Sequence, residues 1–458
     1  MSFLFPERKI AEKIREQRAE RTPGRLAVPG LHCLVVGSGG REHAIVWRLL
    51  LDDGVGAVDV APGNGGTSLI ARNIENLPVR DAHRIAQHAM RNDVDLAIVG
   101  PDDAIAAGVA DELRRAGIPT VGASRDAARL EWSKSFAKDL MELAGVPTAA
   151  WWTFERLDDV ADFVRDASRP LVVKCDGLAA GKGVVVARDR EAAFAAARAA
   201  LEEHKFGDAG ARIVVEECLE GEEVSLQALV DGEVVVALPA ARDYKRAGDG
   251  DTGDNTGGMG SCSPSPRVAD AETQALAEQL IAPVARALVR RGTPYRGILY
   301  AGAMLTADGP QVLEYNARFG DPEAEVVLPR LGGEFSGIML ALANGRLRQY
   351  LTDHPLRVLS DHVVDVVVAA GGYPAKPTVG ERIDGLLDVP SGTLVFHAGT
   401  RRFHEGFVTT GGRVVHAVGR GDTLGDAREA AYRAVDRIRF ASAWYRSDIA
   451  AQPAVTAP

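Results

Sequence analysis

Val312-Leu313-Glu314-Tyr315-Asn316-Ala317-Arg318-Phe319-Gly320-Asp321-Pro322-Glu323 reads as a strand that runs into a turn. β-Forming residues open it, and Gly320 and Pro322 end it. Side chains alternate along a strand, so Glu314, Asn316 and Arg318 share one face. A carboxylate and an amide oxygen two residues apart make the hard oxygen site that Mg²⁺ or Mn²⁺ prefers. Arg318 adds a fixed positive fork suited to phosphate or carboxylate. A solvated polar strand edge would show the same pattern, so the stretch gains its meaning from the rest of the chain.

Two other phosphate-type sites flank it. The strand Leu171-Val172-Val173-Lys174 leads into Cys175-Asp176-Gly177-Leu178-Ala179-Ala180-Gly181-Lys182-Gly183, and a second strand, Val184-Val185-Val186-Ala187, follows. Glycines between two strands predict a hairpin loop over phosphates, whereas a P-loop runs from strand to helix. Near the N-terminus, the apolar strand ending at Gly37 meets Ser38-Gly39-Gly40-Arg41-Glu42-His43 and a helix from Ala44 to Leu51. That is an anion pocket of free N–H groups and helix dipole. Its glycine spacing does not match a dinucleotide fingerprint. Further strands at 58–60, 96–100 and 119–122 alternate with helices, which implies a doubly wound parallel sheet with ligands at the strands' carboxyl ends. The loops there are Ala61-Pro62-Gly63-Asn64-Gly65-Gly66-Thr67 and Pro101-Asp102-Asp103.

Residues 131–147 read as one helix from Glu131 through Leu143, and 271–291 as another. The run from Ile213 to Ser225 predicts a strand ending in an acidic turn, whose carboxylates can hold an adenine amino group and ribose hydroxyls, although taken alone it reads better as a solvated acidic turn. Residues 242–264, from Arg242-Asp243-Tyr244-Lys245 to Asn255-Thr256-Gly257-Gly258-Met259-Gly260, read as a long structureless substrate loop. Residues 362–440 read as a separate small α+β unit with a closing helix, Leu424 to Ile438.

Composition limits the function classes. The 458 residues suggest about two to four domains. A hydrophobic content of 46% with 25% charged residues fits a globular chain with a sizeable core. A net charge of -10 argues against broad nucleic-acid binding. The four cysteines show no C-x-x-C spacing, which argues against a zinc motif or disulfide framework and fits a reducing cytoplasm. No apolar run reaches the roughly 18 residues of a membrane helix. Residues 1–29 are highly charged and read as an extension outside the fold, not a signal or transit peptide.

Taken together the motifs resemble ATP-grasp ligases, and most closely the phosphoribosylamine–glycine ligase (glycinamide ribonucleotide synthetase) family. The matching runs are 37–44, Ala61-Pro62-Gly63-Asn64, 177–184, 255–260, 314–323 and Ala369-Ala370-Gly371-Gly372-Tyr373-Pro374. The resemblance covers about residues 31–450. It implies a mixed α/β and α+β multidomain protein: an N-terminal doubly wound α/β domain over 30–130, an ATP-grasp domain over 131–355 with a lid at about 152–225, a C-terminal α+β domain over 356–450, and a tail at 451–458. It also implies ATP with Mg²⁺ or Mn²⁺, small carboxylate and amine substrates, no nucleic-acid or membrane partner, and a monomer or homodimer.

By that resemblance ATP phosphorylates glycine's carboxylate, and the amine of phosphoribosylamine attacks the acyl phosphate. Lys138, Lys174, Gly177, Ala180, Gly181, Lys182 and Gly183 are expected around phosphates. Glu216, Leu219 and Glu223 are expected at adenine and ribose, Glu314 and Asn316 at the cation, and Arg318 with Lys174 at the transferring phosphoryl. Gly39, Gly40, Arg41, Glu42, Gly63, Asn64, Asp102, Arg242, Asp243, Lys245, Asn255, Thr256, Gly257, Gly258 and Asp321 are expected around the other substrates. Asp102, Asp103, Trp132, Arg242, Asp254 and Glu325 depart from the family pattern, in loops expected to meet the amine and carboxylate. They leave open a paralogue that ligates a different pair, and more remotely a non-catalytic nucleotide-binding regulator.

Overall fold

The computed structural model describes residues 30–179 and 183–451. The extension 1–29 and the tail residues 452–458 lie outside them, as do Ala180, Gly181 and Lys182.

The N-terminal strand Leu31–Gly37 lies at the centre of a five-stranded parallel sheet. Its neighbours are Val55–Pro62 and Leu96–Val99, with Arg72–Asn73 and Thr120–Val121 at the edges. Cys33 to Val36 are fully buried, as expected of a parallel strand covered on both faces. The strand turns straight into the helix Gly40–Leu50. At Gly37, with φ 134°, a Cβ would strike the Glu42 side chain.

The central sheet is antiparallel, in the order Val234–Ala237, Glu222–Asp231, Arg296–Thr306, Gly309–Asn316. A second four-stranded sheet, Trp151–Phe154, Ile213–Glu217, Leu171–Cys175 and Val184–Ala187, faces it. The helices Leu157–Asp166 and Arg190–Leu201 cover this lid sheet around a core of its own.

Three expectations are corrected. The helix expected from Glu131 is two, Arg129–Trp132 and Lys134–Ala144, because the Ser133 hydroxyl caps the second by accepting from the Phe136 amide. The helix at 271–291 divides into Asp270–Leu280 and Ala282–Arg290, where Pro283 opens a fresh first turn. The segment 242–264 is not structureless. It forms the strands Arg242–Asp243 and Gly260–Ser263 and a small hairpin, Arg246–Gly248 with Thr252–Asn255.

The two outer strands of that segment join His362–Ala369, Arg413–Gly421 and Leu394–His397 in one sheet. The C-terminal unit therefore completes its sheet with strands from the middle of the chain. Its helix Leu424–Val435 packs across this sheet. The hairpin tip is tied to the C-terminus: Arg446 Nη1 donates to Asp251 Oδ1 at 2.8 Å, and the Gly250 amide donates to Asp448 Oδ2 at 2.8 Å. A loop rich in glycine and aspartate is thus given one shape by distant residues.

Candidate active site

The opening stretch forms the floor. On the strand Gly309–Asn316, Glu314 pairs with Gly302 and Asn316 with Tyr300. A bulge between Gly302 and Ala303 leaves Leu313 outside the ladder register, and its carbonyl accepts from Lys174 Nζ at 2.9 Å. The lid is so tied to the floor through one lysine. Arg318 Nη2 donates to Asn316 Oδ1 at 3.2 Å, so the three residues on the predicted face do converge. All three line one cavity, together with Lys134 from the helix Lys134–Ala144 and Gly177 and Gly183 from the lid hairpin.

Burial pushes the Glu314 carboxyl up, but Lys134, Lys174, Lys245 and Arg318 outweigh it and hold it below the usual carboxylate range. Arg318 is desolvated, yet Glu131, Asp102, Glu323 and Asp321 keep it firmly protonated. Glu131 is the anchor: its Oε1 lies 3.1 Å from Arg318 Nη2 and its Oε2 accepts from the Ala317 amide at 2.8 Å. An ionised carboxylate and an amide oxygen facing one polar cavity form a donor set that fits a hard divalent cation.

A larger cleft of ≈ 420 Å³ adjoins the first and shares Glu314, Asp243, Lys245 and Thr256 with it. Val172 and Val186 of the lid face Leu313, Met304 and Leu219 across it, an apolar slot for a flat ring. Glu223 and Glu216 line the slot, but neither carboxylate is free. Glu223 Oε2 accepts from Lys245 Nζ at 2.6 Å. Glu216 lies between two lysines, 2.9 Å from Lys138 Nζ and 2.8 Å from Lys174 Nζ. Lys138 is 1% exposed and does not reach either cavity. Burial and the neighbouring Lys174 lower its ammonium to about 8, against the pull of Glu216. Its Nζ lies 2.9 Å from Glu216 and donates to the Thr148 hydroxyl at 2.7 Å.

The remaining expected substrate residues divide. Asp102, Asp243, Lys245, Thr256, Gly257 and Asp321 line the first cavity, and Arg242 and Asn255 the second. Gly258 stands behind them, where a Cβ would strike the Pro322 ring. Gly39, Gly40, Arg41, Glu42, Gly63 and Asn64 do not line either cavity. Arg41 Nε donates to Glu42 Oε1 and its Nη1 to the Phe319 carbonyl. Asn64 is fully used, donating to the carbonyls of Ser38, Gly39 and His397 and accepting from the amides of Gly66 and Thr67. This turn buttresses the end of the floor strand.

The departures from the family pattern are mostly not in the site, contrary to expectation. Asp103 pairs with Arg80 at the surface, Asp254 is exposed outside the lining, Trp132 packs on the core, and Glu325 is fully buried. Only Asp102 and Arg242 face a cavity. Sequence reasoning also missed Glu131, Lys134, Tyr300, Glu323 and Arg413. Glu131 and Lys134 belong to a run read only as a helix start. Arg413 lies 92 positions from Asp321, whose carbonyl it bonds at 3.0 Å, and no local pattern announces it.

Known proteins share this architecture. The biotin carboxylase domain of a 2-oxoglutarate carboxylase from Hydrogenobacter thermophilus, solved with MgADP, superposes with a TM-score of 0.69 over 90% of this chain and 91% of its own, at 16% identity. The fold is that of the ATP-grasp enzymes. Models of the phosphoribosylglycinamide synthetase N domain, ATP-grasp (A) domain and C domain match residues 31–131, 132–324 and 363–452. The phosphoribosylamine–glycine ligase of Caulobacter vibrioides is 45% identical over 92% of this chain and 97% of its own length. That of Halalkalibacterium halodurans is 43% identical over 92% and 96%. The crystal structure of the Thermotoga maritima phosphoribosylamine–glycine ligase gives a TM-score of 0.79 at 33% identity, covering 92% of this chain and all of the other. The chain belongs to the phosphoribosylglycinamide synthetase family and is an ATP-grasp carbon–nitrogen ligase.

Proposed function

We propose that the protein joins the carboxylate of glycine to the amine of 5-phosphoribosylamine with conversion of ATP to ADP and phosphate, the glycinamide ribonucleotide step of purine biosynthesis. The observation that carries this reading is the convergence of Glu314, Asn316, Arg318 and Lys134 beside an apolar slot under a lid hairpin, in a chain 45% identical to a ligase of that name. The adenine ring fits the slot between Val172 and Leu313, with Lys174 near its polar end. Glu314 and Asn316 would hold Mg²⁺ or Mn²⁺, which when bound neutralises phosphate oxygens. Arg318 is already fixed by Glu131 and stabilises charge on the transferring phosphoryl group.

The carboxylate oxygen of glycine attacks the γ-phosphorus and ADP leaves. The neutral amine then attacks the acyl carbon, the C–O bond to the phosphate breaks with its electron pair staying on the phosphate oxygen, and the proton shed by the nitrogen passes to the departing phosphate. Asp321 and Glu323 give the opposite wall a negative character that suits an ammonium group. Burial would raise the Asp321 carboxyl, but Arg413, His416 and Arg41 overcome it and hold it down to about 2, so it is ionised at neutral pH. No side-chain nucleophile is required, since positioning and electrostatics supply the catalysis. Four unpaired cysteines support a reducing cytoplasm, and no helix among the described residues is long and apolar enough to cross a membrane.

The test is ADP release with mass spectrometry of the product, over a panel of amino acids and of sugar or nucleoside amines. Glycine with phosphoribosylamine should give the highest kcat/KM. An inert response to that pair, with turnover on another, would overturn the substrate assignment and leave the ligase class standing.

A further inference from the structure

Beneath the wall of the ligation cavity lies a cluster of which only Asp321 faces the ligation chemistry. Asp321 and Glu325 come from the turn after the floor strand, and His416 from the C-terminal strand Arg413–Gly421. His416 and Glu325 are both fully buried. His416 Nε2 lies 3.8 Å from Asp321 Oδ1 and 3.8 Å from Glu325 Oε1, and it has no hydrogen-bond partner. Neither oxygen of Glu325 has one either. Buried carboxylate oxygens are rarely left so, because an unpaired charge taken from water is costly.

The other ring nitrogen is committed. His416 Nδ1 is 2.8 Å from Asp365 Oδ2, and Asp365 is itself fully buried. A carboxylate behind an imidazole fixes the tautomer, directs Nε2 forward and raises its basicity, the arrangement found behind metal-bound histidines. Asp321, Glu325 and Asp365 face Arg413, which lies 3.0 Å from Asp321 Oδ1. Arg41 and Arg318 are each held by another carboxylate, Glu42 and Glu131. Gly40 adds room: a Cβ there would meet His416 Cδ2 at 2.5 Å and Glu325 Oε1 at 2.6 Å.

We infer that Asp321, Glu325 and His416 bind a first-row divalent metal ion of the Zn²⁺ or Co²⁺ type, at a site separate from the cation position at Glu314 and Asn316. One imidazole nitrogen with two carboxylate oxygens is a set such ions take, and Mg²⁺ does not favour the imidazole. Two donors on one tetrahedral zinc lie about 3.4 Å apart; His416 Nε2 is 3.8 Å from each carboxylate oxygen and all three donor atoms lie within 4.8 Å of one another, so closing the set takes only side-chain adjustment. Its position fixes its role. The ion joins the turn carrying Asp321 to the C-terminal sheet and so sets the cavity wall.

The test uses the full-length protein, stripped by chelator, dialysed with excess Mg²⁺ to fill the catalytic side, and titrated with Zn²⁺ or Co²⁺. Elemental analysis should find about one zinc per chain, and Co²⁺ should give visible d–d absorption of low-symmetry N/O coordination. Glu325→Gln should lose both signals while Glu314→Gln keeps them. Asp365→Asn should weaken the affinity by about 10–100-fold. Glu325→Gln preserves shape, so it keeps the test open if a substitution at His416 fails to fold. Wild type without stoichiometric zinc, or zinc retained equally in Glu325→Gln, would overturn the site and leave a protonated carboxyl–imidazole network. Because the readout is metal content and spectrum, its failure is distinguishable from failure of the glycine assignment.

Discussion

Glu131→Gln tests how the site holds Arg318. Glu131 is 4% exposed and touches two parts of the stretch after the floor strand, Arg318 Nη2 at 3.1 Å and the Ala317 amide at 2.8 Å. Glutamine keeps the size and the carbonyl that accepts from Ala317, so the variant removes the charge alone. A charge-assisted hydrogen bond is worth about 1.5–3 kcal/mol. If Arg318 meets charge that develops during phosphoryl transfer, that loss falls on the barrier and lowers kcat by about 10- to 150-fold. The KM for ATP should change little, since the apolar slot is untouched. Coupled ADP release gives kcat and KM, and a thermal melt checks the fold. The pH profile adds an independent sign. Burial raises the Glu131 carboxyl against the pull of Arg318, so the wild type loses the pair on the acid side earlier than an ordinary carboxylate would. That acid limb should be absent from the variant. A kcat within about twofold of wild type, with an unchanged melt, would refute the claim that a fixed Arg318 stabilises the transfer.

Glu314→Gln and Asn316→Ala should each lower turnover by about 100-fold, with partial rescue by excess Mg²⁺; near-normal rates at ordinary Mg²⁺ would place the cation elsewhere. Lys174→Met should weaken ATP binding, measured by calorimetry, more than it lowers the melting temperature, because Lys138 still pairs with Glu216; unchanged ATP affinity would remove Lys174 from the nucleotide site. Acid stability should report the interface where His43 Nδ1 accepts from the His397 amide at 2.8 Å. Burial lowers His397 to about 4 from 6.5, worth about 3 kcal/mol. The unfolded chain takes up the proton first, so this stability is whole above pH 6.5 and falls as the pH drops towards 4. Denaturant midpoints should show that loss and His397→Gln should reduce it, the buried His43 leaving the remainder; a wild type as stable at pH 4 as at pH 7 would contradict the buried neutral ring.

The parts legible in the sequence were those with local causes. Glu314, Asn316 and Arg318 could be read together because alternation on a strand needs no tertiary information. Lys174 could be read because a strand, a glycine run and a strand can make little but a hairpin. The segment 242–264 could not, because its ordering partners are Val363 to Val366 and Arg446 to Asp448, far along the chain. Aspartate and glycine carry no strand signal, and β-structure there follows from context. Arg41 and Asn64 show a different limit. A glycine turn after a strand can present its polar groups to a ligand or consume them internally, and here Phe319, Ser38 and His397 consume them. Glu325 was read as a loop charge facing substrate, but burial against His416 is decided by a strand about 90 positions away.

The site also explains how a chain of net charge -10 can hold a triphosphate. Its cations are concentrated, and each has a carboxylate beside it before any ligand arrives: Lys174 with Glu216, Lys245 with Glu223, Arg318 with Glu131 and Lys134 with Glu314. Without those partners the buried ammonium and guanidinium groups would be costly to keep charged. With them the donors stand in position, and arriving phosphate oxygens share charge that is already oriented. Little reorganisation is then left for the moment of transfer. On the proposed reading the anchoring carboxylates matter to rate as well as to folding, Glu131 and Glu216 acting through the cations they hold.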